Sequence, residues 1–129
     1  MIETLAVWQK NLRVKVRARQ FSVDTDEPPE YKGENTGMMP TEMFISSLTS
    51  CFCMALVFAA GKMKVEIKDM EVGVSAVADK RNFRYSKLIV RVKSSVEDGL
   101  LEKLITLARK YCYVSNMISD SCEVTYEID

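Results

Sequence analysis

The segment from Thr41 to roughly Gly61 constrains the fold more than any other part of the chain. Pro40 and Thr41 supply helix-start signals and Gly61 a stop. Apolar residues between them do not keep to one stripe, and the polar positions are mostly small Ser and Thr. A helix of this kind is buried on nearly all sides. In a chain of 129 residues, which corresponds to one domain over 1–129, burial all round is hard to achieve without a second subunit. The segment is not read as a membrane span. Phe44 to Ala60 is interrupted by Ser46, Ser47, Thr49 and Ser50, which makes it too short and too polar to cross a bilayer.

The flanking sequence predicts strands. Ile2 to Trp8 reads as one, and Gln9-Lys10-Asn11 as the turn that follows it. Leu12, Val14, Val16 and Ala18 alternate with Arg13, Lys15, Arg17 and Arg19, as in a half-buried strand with a basic outer face. Phe21 to Val23 reads as a short third strand. Asp24 to Met39, with Pro28, Pro29, Gly33 and Gly37, reads as a long loop, and long loops in compact domains are often functional. Beyond the helix, Lys64 to Asp79 and Asn82 to Ser95 predict two long strands joined by a tight turn. Glu97 to Lys110 is an amphipathic helix, with Leu100, Leu101, Leu104, Ile105 and Ala108 at helical spacing. Tyr111 to Ser119 is a short helix or turn, and Cys122 to Ile128 alternates as a final strand. The fold class is α+β.

Bulk properties remove several function classes. The 18 basic and 18 acidic residues cancel, so no overall charge favours nucleic acid or an anionic membrane. The basic face from Arg13 to Arg19 is accordingly read as a solvated strand face. Met1 to Trp8 is broken by Glu3 and lacks a cleavage-site pattern, so no signal peptide is expected. A cytoplasmic location follows, where cysteines default to thiols. The chain has no histidine. That excludes Ser-His and Cys-His nucleophile pairs and every His-ligated metal site.

Four cysteines therefore carry the chemical interest. Cys51 lies mid-helix and, taken alone, reads as a small buried hydrophobe. Cys53 lies about 200° further round the helix, so the two do not share a face and do not form a chelate. No zinc-like spacing of cysteines exists, and no metal or other cofactor is expected. Cys122 reads as core. Cys112 follows one helix and opens the next. Either it is a packed junction residue, or the helix N-terminus with Arg109 and Lys110 lowers its pKa below the free value of ~8.5.

Three motifs in order resemble the OsmC/Ohr family. They are Gly33-Glu34-Asn35-Thr36-Gly37-Met38-Met39-Pro40-Thr41-Glu42-Met43-Phe44, then Ser47 to Leu56 containing Cys51, then Tyr111-Cys112-Tyr113-Val114-Ser115-Asn116. Glu42 and Cys51 are nine positions apart, as in the family signature, and Cys51 and Cys112 are sixty-one apart, where the signature has about sixty. The resemblance implies an OsmC-like fold, β-β-(β)-α-β-β-α-(α)-β, assembled as an intertwined homodimer with buried central helices. It implies reduction of organic hydroperoxides or hydrogen peroxide. Cys51 would match the peroxidatic cysteine, which becomes a sulfenic acid, and Cys112 the resolving cysteine, which condenses with it. A small or lipoyl-type dithiol would reset the pair. Glu42 would match the site glutamate, and Arg13 or Lys10 the cation that stabilises the thiolate.

Nine residues of ideal helix put Glu42 and Cys51 on opposite sides, about 13.5 Å apart along the axis. They cooperate only if Glu42 reaches Cys51 of another subunit or the helix is broken between them. The all-round burial of the helix favours the first. Two other functions fit the same residues. One is a small-ligand-binding or redox-sensing module with weak or no catalysis, and the other is persulfide chemistry at Cys51. Whether Cys53 competes with Cys112 stays open.

Overall fold

A computed structural model describes all 129 residues. The chain divides into two compact units, Met1–Phe44 and Ile45–Asp129.

In the first unit, β1 (Leu5–Lys10), β2 (Arg13–Ala18) and β3 (Phe21–Thr25) form an antiparallel sheet in the order β1-β2-β3. The register pairs Ala6 with Val16, Trp8 with Val14, Val16 with Val23 and Ala18 with Phe21. Since side chains alternate along a strand, these residues share one apolar face. Trp8, Phe21 and Val23 are exposed on it. The turn between β1 and β2 falls at Asn11-Leu12, where Asn11 takes a positive φ of 49° and its carbonyl accepts from Trp8 Nε1 at 2.7 Å.

The long loop after β3 contains a 3-10 turn, Pro29–Tyr31, and is organised by buried Asp26. Asp26 Oδ1 accepts from Glu27 N–H at 2.8 Å. Its Oδ2 accepts from Glu34 N–H at 3.2 Å, Thr36 N–H at 3.1 Å and Thr36 Oγ1 at 2.6 Å. Gly33 and Gly37 let the loop fold this tightly: a Cβ would fall 1.8 Å from Glu27 O at the first and 2.3 Å from Asp24 O at the second. The hydrogen bonds to Thr36 and to the loop amides hold the Asp26 carboxyl down to about 2, from the usual 3.8. Because the folded value is depressed, this stabilisation is fully present above pH 4 and is lost as pH falls towards 2. Amide exchange at Glu27, Glu34 and Thr36 should therefore stay slow through mild acid. Asp26→Ala should accelerate it by about tenfold or more, since the amides lose their acceptor. Unchanged exchange in the variant would remove Asp26 as the organiser of this loop.

The second unit holds most of α1 (Pro40–Lys62), then β4 (Glu71–Asp79), β5 (Arg84–Lys93), α2 (Asp98–Tyr111), α3 (Tyr113–Asn116) and β6 (Glu123–Ile128). β4 and β5 are antiparallel, while β5 and β6 are parallel, joined through α2 and α3. Val72, Val74, Ala76, Leu88, Val90, Val92, Val124, Tyr126 and Ile128 share one sheet face through the register. Leu48, Phe52 and Leu56 of α1, with Leu101, Leu104 and Ala108 of α2, belong to the same buried cluster. Glu97 caps α2 by accepting from the N–H groups of Gly99 and Leu100.

Two expectations need correction. The first strand of this sheet begins at Glu71, not Lys64. Val65 and Ile67 still pack against the core, but β5 ends at Lys93 opposite Glu71, which leaves no strand to pair with 64–70. Lys64 takes a positive φ of 55° and ends the helix instead. Asp69 then ties this segment to Ser94 and Ser95 through its carboxylate.

Secondly, α1 is longer than the Phe44–Ala60 stretch, and by length and composition alone it could cross a membrane. Its buried residues instead form part of the core of the second unit. Within one chain, burial of α1 is one-sided. Leu48, Phe52, Ala55, Leu56, Ala59 and Ala60 are buried, whereas Met54, Val57 and Phe58 are about half exposed or more.

Candidate functional site

α1 carries Cys51 one residue before buried Phe52, whose ring stacks at a tilt on Tyr126 of β6 with centroids 4.9 Å apart. Phe52 thereby fixes the rotation of the helix, and Cys51 is half-buried at the edge of the core. Met54 and Phe58 follow three and seven positions on, so they continue the Cys51 face as an exposed apolar stripe. Phe58 meets the Tyr111 ring edge-on at 4.9 Å. Cys53 is also half-buried but lies on another face of the helix.

Cys112 occupies the joint between α2 and α3 and is fully buried. Its thiol lies within interaction distance of Cys51, which packs against the same buried cluster. Two cysteines sixty-one positions apart are thus brought together, both as free thiols. The Ser115 hydroxyl donates to the Cys112 carbonyl at 3.1 Å, and both this hydroxyl and the Ser115 backbone N–H are near enough to the Cys112 sulfur to favour its thiolate. Asn116 Nδ2 donates to Lys110 O at 3.2 Å and ties the joint to the end of α2.

Of the two readings of Cys112, the structure gives the packed junction residue and not the lowered pKa. Burial pushes the Cys112 thiol up, Ser115 pulls it down, and neighbouring Cys51 pushes it up again; the result is a raised value. The helix-terminus argument fails because α3 has only four residues, while Cys112 also stands at the negative C-terminal end of the 14-residue α2. Arg109 does not face the thiol, since its guanidinium lies over the Tyr126 ring at 4.7 Å.

The other expected site residues lie in the first unit. Glu42 Oε1 accepts from Met39 N–H at 2.9 Å, the reciprocal half of a capping box at the start of α1. Arg13 is 3.6 Å from Asp24, which also receives Lys15 at 2.9 Å. Lys10 stands opposite Arg13 across the hairpin and is exposed. Neither cation is paired with Glu42. α1 is continuous, so no break separates Glu42 from Cys51.

A cleft of about 680 Å³ is lined in part by Arg109, Lys110, Ser115, Asn116, Cys122 and Tyr126. It adjoins the thiol pair through Ser115. Cys122 is half-buried just before β6, and burial raises its pKa. No three acidic or cysteine side chains gather as metal ligands.

A family model described as OsmC-like protein matches residues 33–127, which include both thiols and the Pro40–Glu42 helix start. The chain belongs to the OsmC-like family. The OsmC-like fold extends over the whole of it. A protein of Psychrobacter arcticus assigned to the osmotic-stress-induced and detoxification response matches with a TM-score of 0.87 at 22% identity, covering 100% of this chain and 96% of that one. The organic hydroperoxide resistance protein OsmC of Legionella pneumophila matches at 0.82 and 18% identity, covering 100% and 96%. The organic hydroperoxide resistance protein OhrB of Bacillus subtilis matches at 0.74 and 19% identity, covering 100% and 98%. At these identities the likeness concerns the fold. No curated protein matches the sequence.

Proposed function

We propose that this OsmC-like chain is a thiol peroxidase that reduces organic hydroperoxides, and hydrogen peroxide as a second substrate, in the cytoplasm. The observation that carries the reading is that Cys51 packs against the buried cluster holding Cys112, with the two thiols close enough to influence one another. The environments of the two thiols divide their roles. Cys51 is half-buried beside an exposed apolar stripe suited to an organic peroxide, while Cys112 is enclosed and its ionisation is disfavoured. Cys51 attacks as thiolate: its sulfur takes one peroxide oxygen, the O–O bond breaks, and an alcohol leaves. Cys112 then condenses with the Cys51 sulfenic acid, releasing water. A small dithiol of the dihydrolipoyl type reduces the disulfide by exchange.

The functional form in this reading is an intertwined homodimer in which residues 1–129 act as one unit. Trp8, Phe21 and Val23 on the first sheet, and Met54, Val57 and Phe58 on α1, supply the apolar surface for it. With α1 unbroken, Glu42 acts on Cys51 of the second copy, and Arg13 or Lys10 brings the positive charge. A two-residue thiol cycle predicts many equivalents of organic hydroperoxide consumed per chain when excess dithiol is supplied. Consumption that stops at one equivalent or less would favour the ligand-binding or redox-sensing module instead.

A further inference from the structure

The Cys112 sulfur is closed off from solvent, and its polar neighbours are Cys51 and the hydroxyl and amide of Ser115. Their influences oppose one another: burial and Cys51 disfavour the thiolate, Ser115 favours it. The Cys51 contribution belongs to the reduced pair. Once the Cys51 sulfur carries a neutral S–OH group, it no longer repels charge on Cys112, and Ser115 is the partner that remains. Ser115 Oγ is also 3.1 Å from the Cys112 carbonyl oxygen. A hydroxyl has one proton to donate and rotates freely. It can therefore serve the carbonyl while Cys112 is a thiol and turn to the sulfur as charge develops there. Ser115 also lines the 680 Å³ cleft, which gives the enclosed thiol a polar contact on that side.

We propose that Ser115 is a positioning residue for disulfide closure: its hydroxyl turns to the Cys112 sulfur and stabilises the thiolate that attacks oxidised Cys51. The inference rests on the peroxidase reading above. In the step itself, an electron pair on the Cys112 sulfur forms the S–S bond and the S–O bond of Cys51 breaks towards oxygen. The Cys112 proton joins the departing hydroxide, so water is the only other product. A hydrogen bond to a charged group in a buried site is among the stronger ones, which sets the expected effect at about tenfold or more.

The test follows one equivalent of cumene hydroperoxide in wild type, Ser115→Ala and Ser115→Thr between pH 6 and 9. Two products are read in each: Cys51 sulfenic acid trapped with dimedone, and the Cys51–Cys112 disulfide by peptide mass. The expected result is that Ser115→Ala oxidises Cys51 as fast as wild type but closes the disulfide about tenfold more slowly. More sulfenic acid is trapped, the pH midpoint of closure moves up, and Ser115→Thr restores both. Equal closure rates and midpoints in Ala and wild type overturn the inference while leaving the peroxidase reading intact. Slower closure with an unmoved midpoint and no rescue by Thr also overturns it, since that is mere loosening of α3. If wild type forms no Cys51–Cys112 bridge at all, the peroxidase reading fails and the inference goes with it.

Discussion

Cys51→Ser should abolish peroxide reduction, whereas Cys112→Ser should keep the first oxidation and lose the cycle. A serine hydroxyl in place of the thiolate cannot take oxygen from a peroxide, so turnover should fall by roughly 10³-fold or more, to background. Cys112→Ser leaves the attacking sulfur in place beside the same apolar stripe. Its product, a sulfenic acid with no resolving partner, persists and then moves up the oxidation ladder to the sulfinic acid. The variant should therefore consume one equivalent of organic hydroperoxide quickly and a second more slowly, one for each oxygen added to Cys51, and then stop. Peptide mass should find two added oxygens on Cys51. The smaller polar side chain is tolerable at position 112 because Ser115 supplies hydrogen bonds there. Sustained turnover by Cys51→Ser would assign the attack to another thiol, and sustained turnover by Cys112→Ser would remove the resolving role.

Phe52→Ala should cost about 3–5 kcal/mol of stability, the usual range for deleting a fully enclosed aromatic side chain. Phe52 is 0% exposed and stacks on Tyr126, so both its burial and an aromatic pair are lost. Total stabilities of about 5–15 kcal/mol make this a large fraction of what holds the chain together. The melting temperature should drop by roughly 10–20 °C when wild type and variant are compared at equal concentration. Because Phe52 also sets the rotation of α1 next to Cys51, disulfide closure should slow even below the melting range. A drop of only a few degrees would mean that the α1 packing relaxes around the cavity, and that Phe52 is not its anchor.

Much of the framework was legible because it depends on local pattern. α1 was readable to within a residue or so from Pro40, Thr41 and Gly61. The core face of the second sheet follows the period-two alternation of Val72, Val74 and Ala76 against Leu88, Val90 and Val92. What was not legible depends on partners distant in sequence. Val65 and Ile67 continue the strand pattern, yet a strand needs a neighbour, and the end of β5 at Lys93 is set by the fold. The role of Asp26 rests on donors eight and ten residues on, which converge only once the loop has closed. Glu42 carried a local signal that was available: a Glu at the third helical position is the mark of a capping box.

The thiol pair shows both sides of this. The spacing of Cys51 and Cys112 was readable by family resemblance, whereas residue-level reasoning left each of them open. The local charges Arg109 and Lys110 suggested an acidic Cys112 thiol. Tertiary packing decides otherwise, because it encloses the sulfur and turns Arg109 onto Tyr126. Burial outweighs charges that are near in sequence but face elsewhere.

The central claim, a two-cysteine peroxidase cycle, is tested most directly by mapping disulfides. The protein is fully reduced, freed of reductant, given one equivalent of organic hydroperoxide, and quenched within seconds. The account predicts a Cys51–Cys112 bridge as the main product, absent in Cys51→Ser. Persistent free thiols, or slow oxidation scattered over all four cysteines, would contradict it.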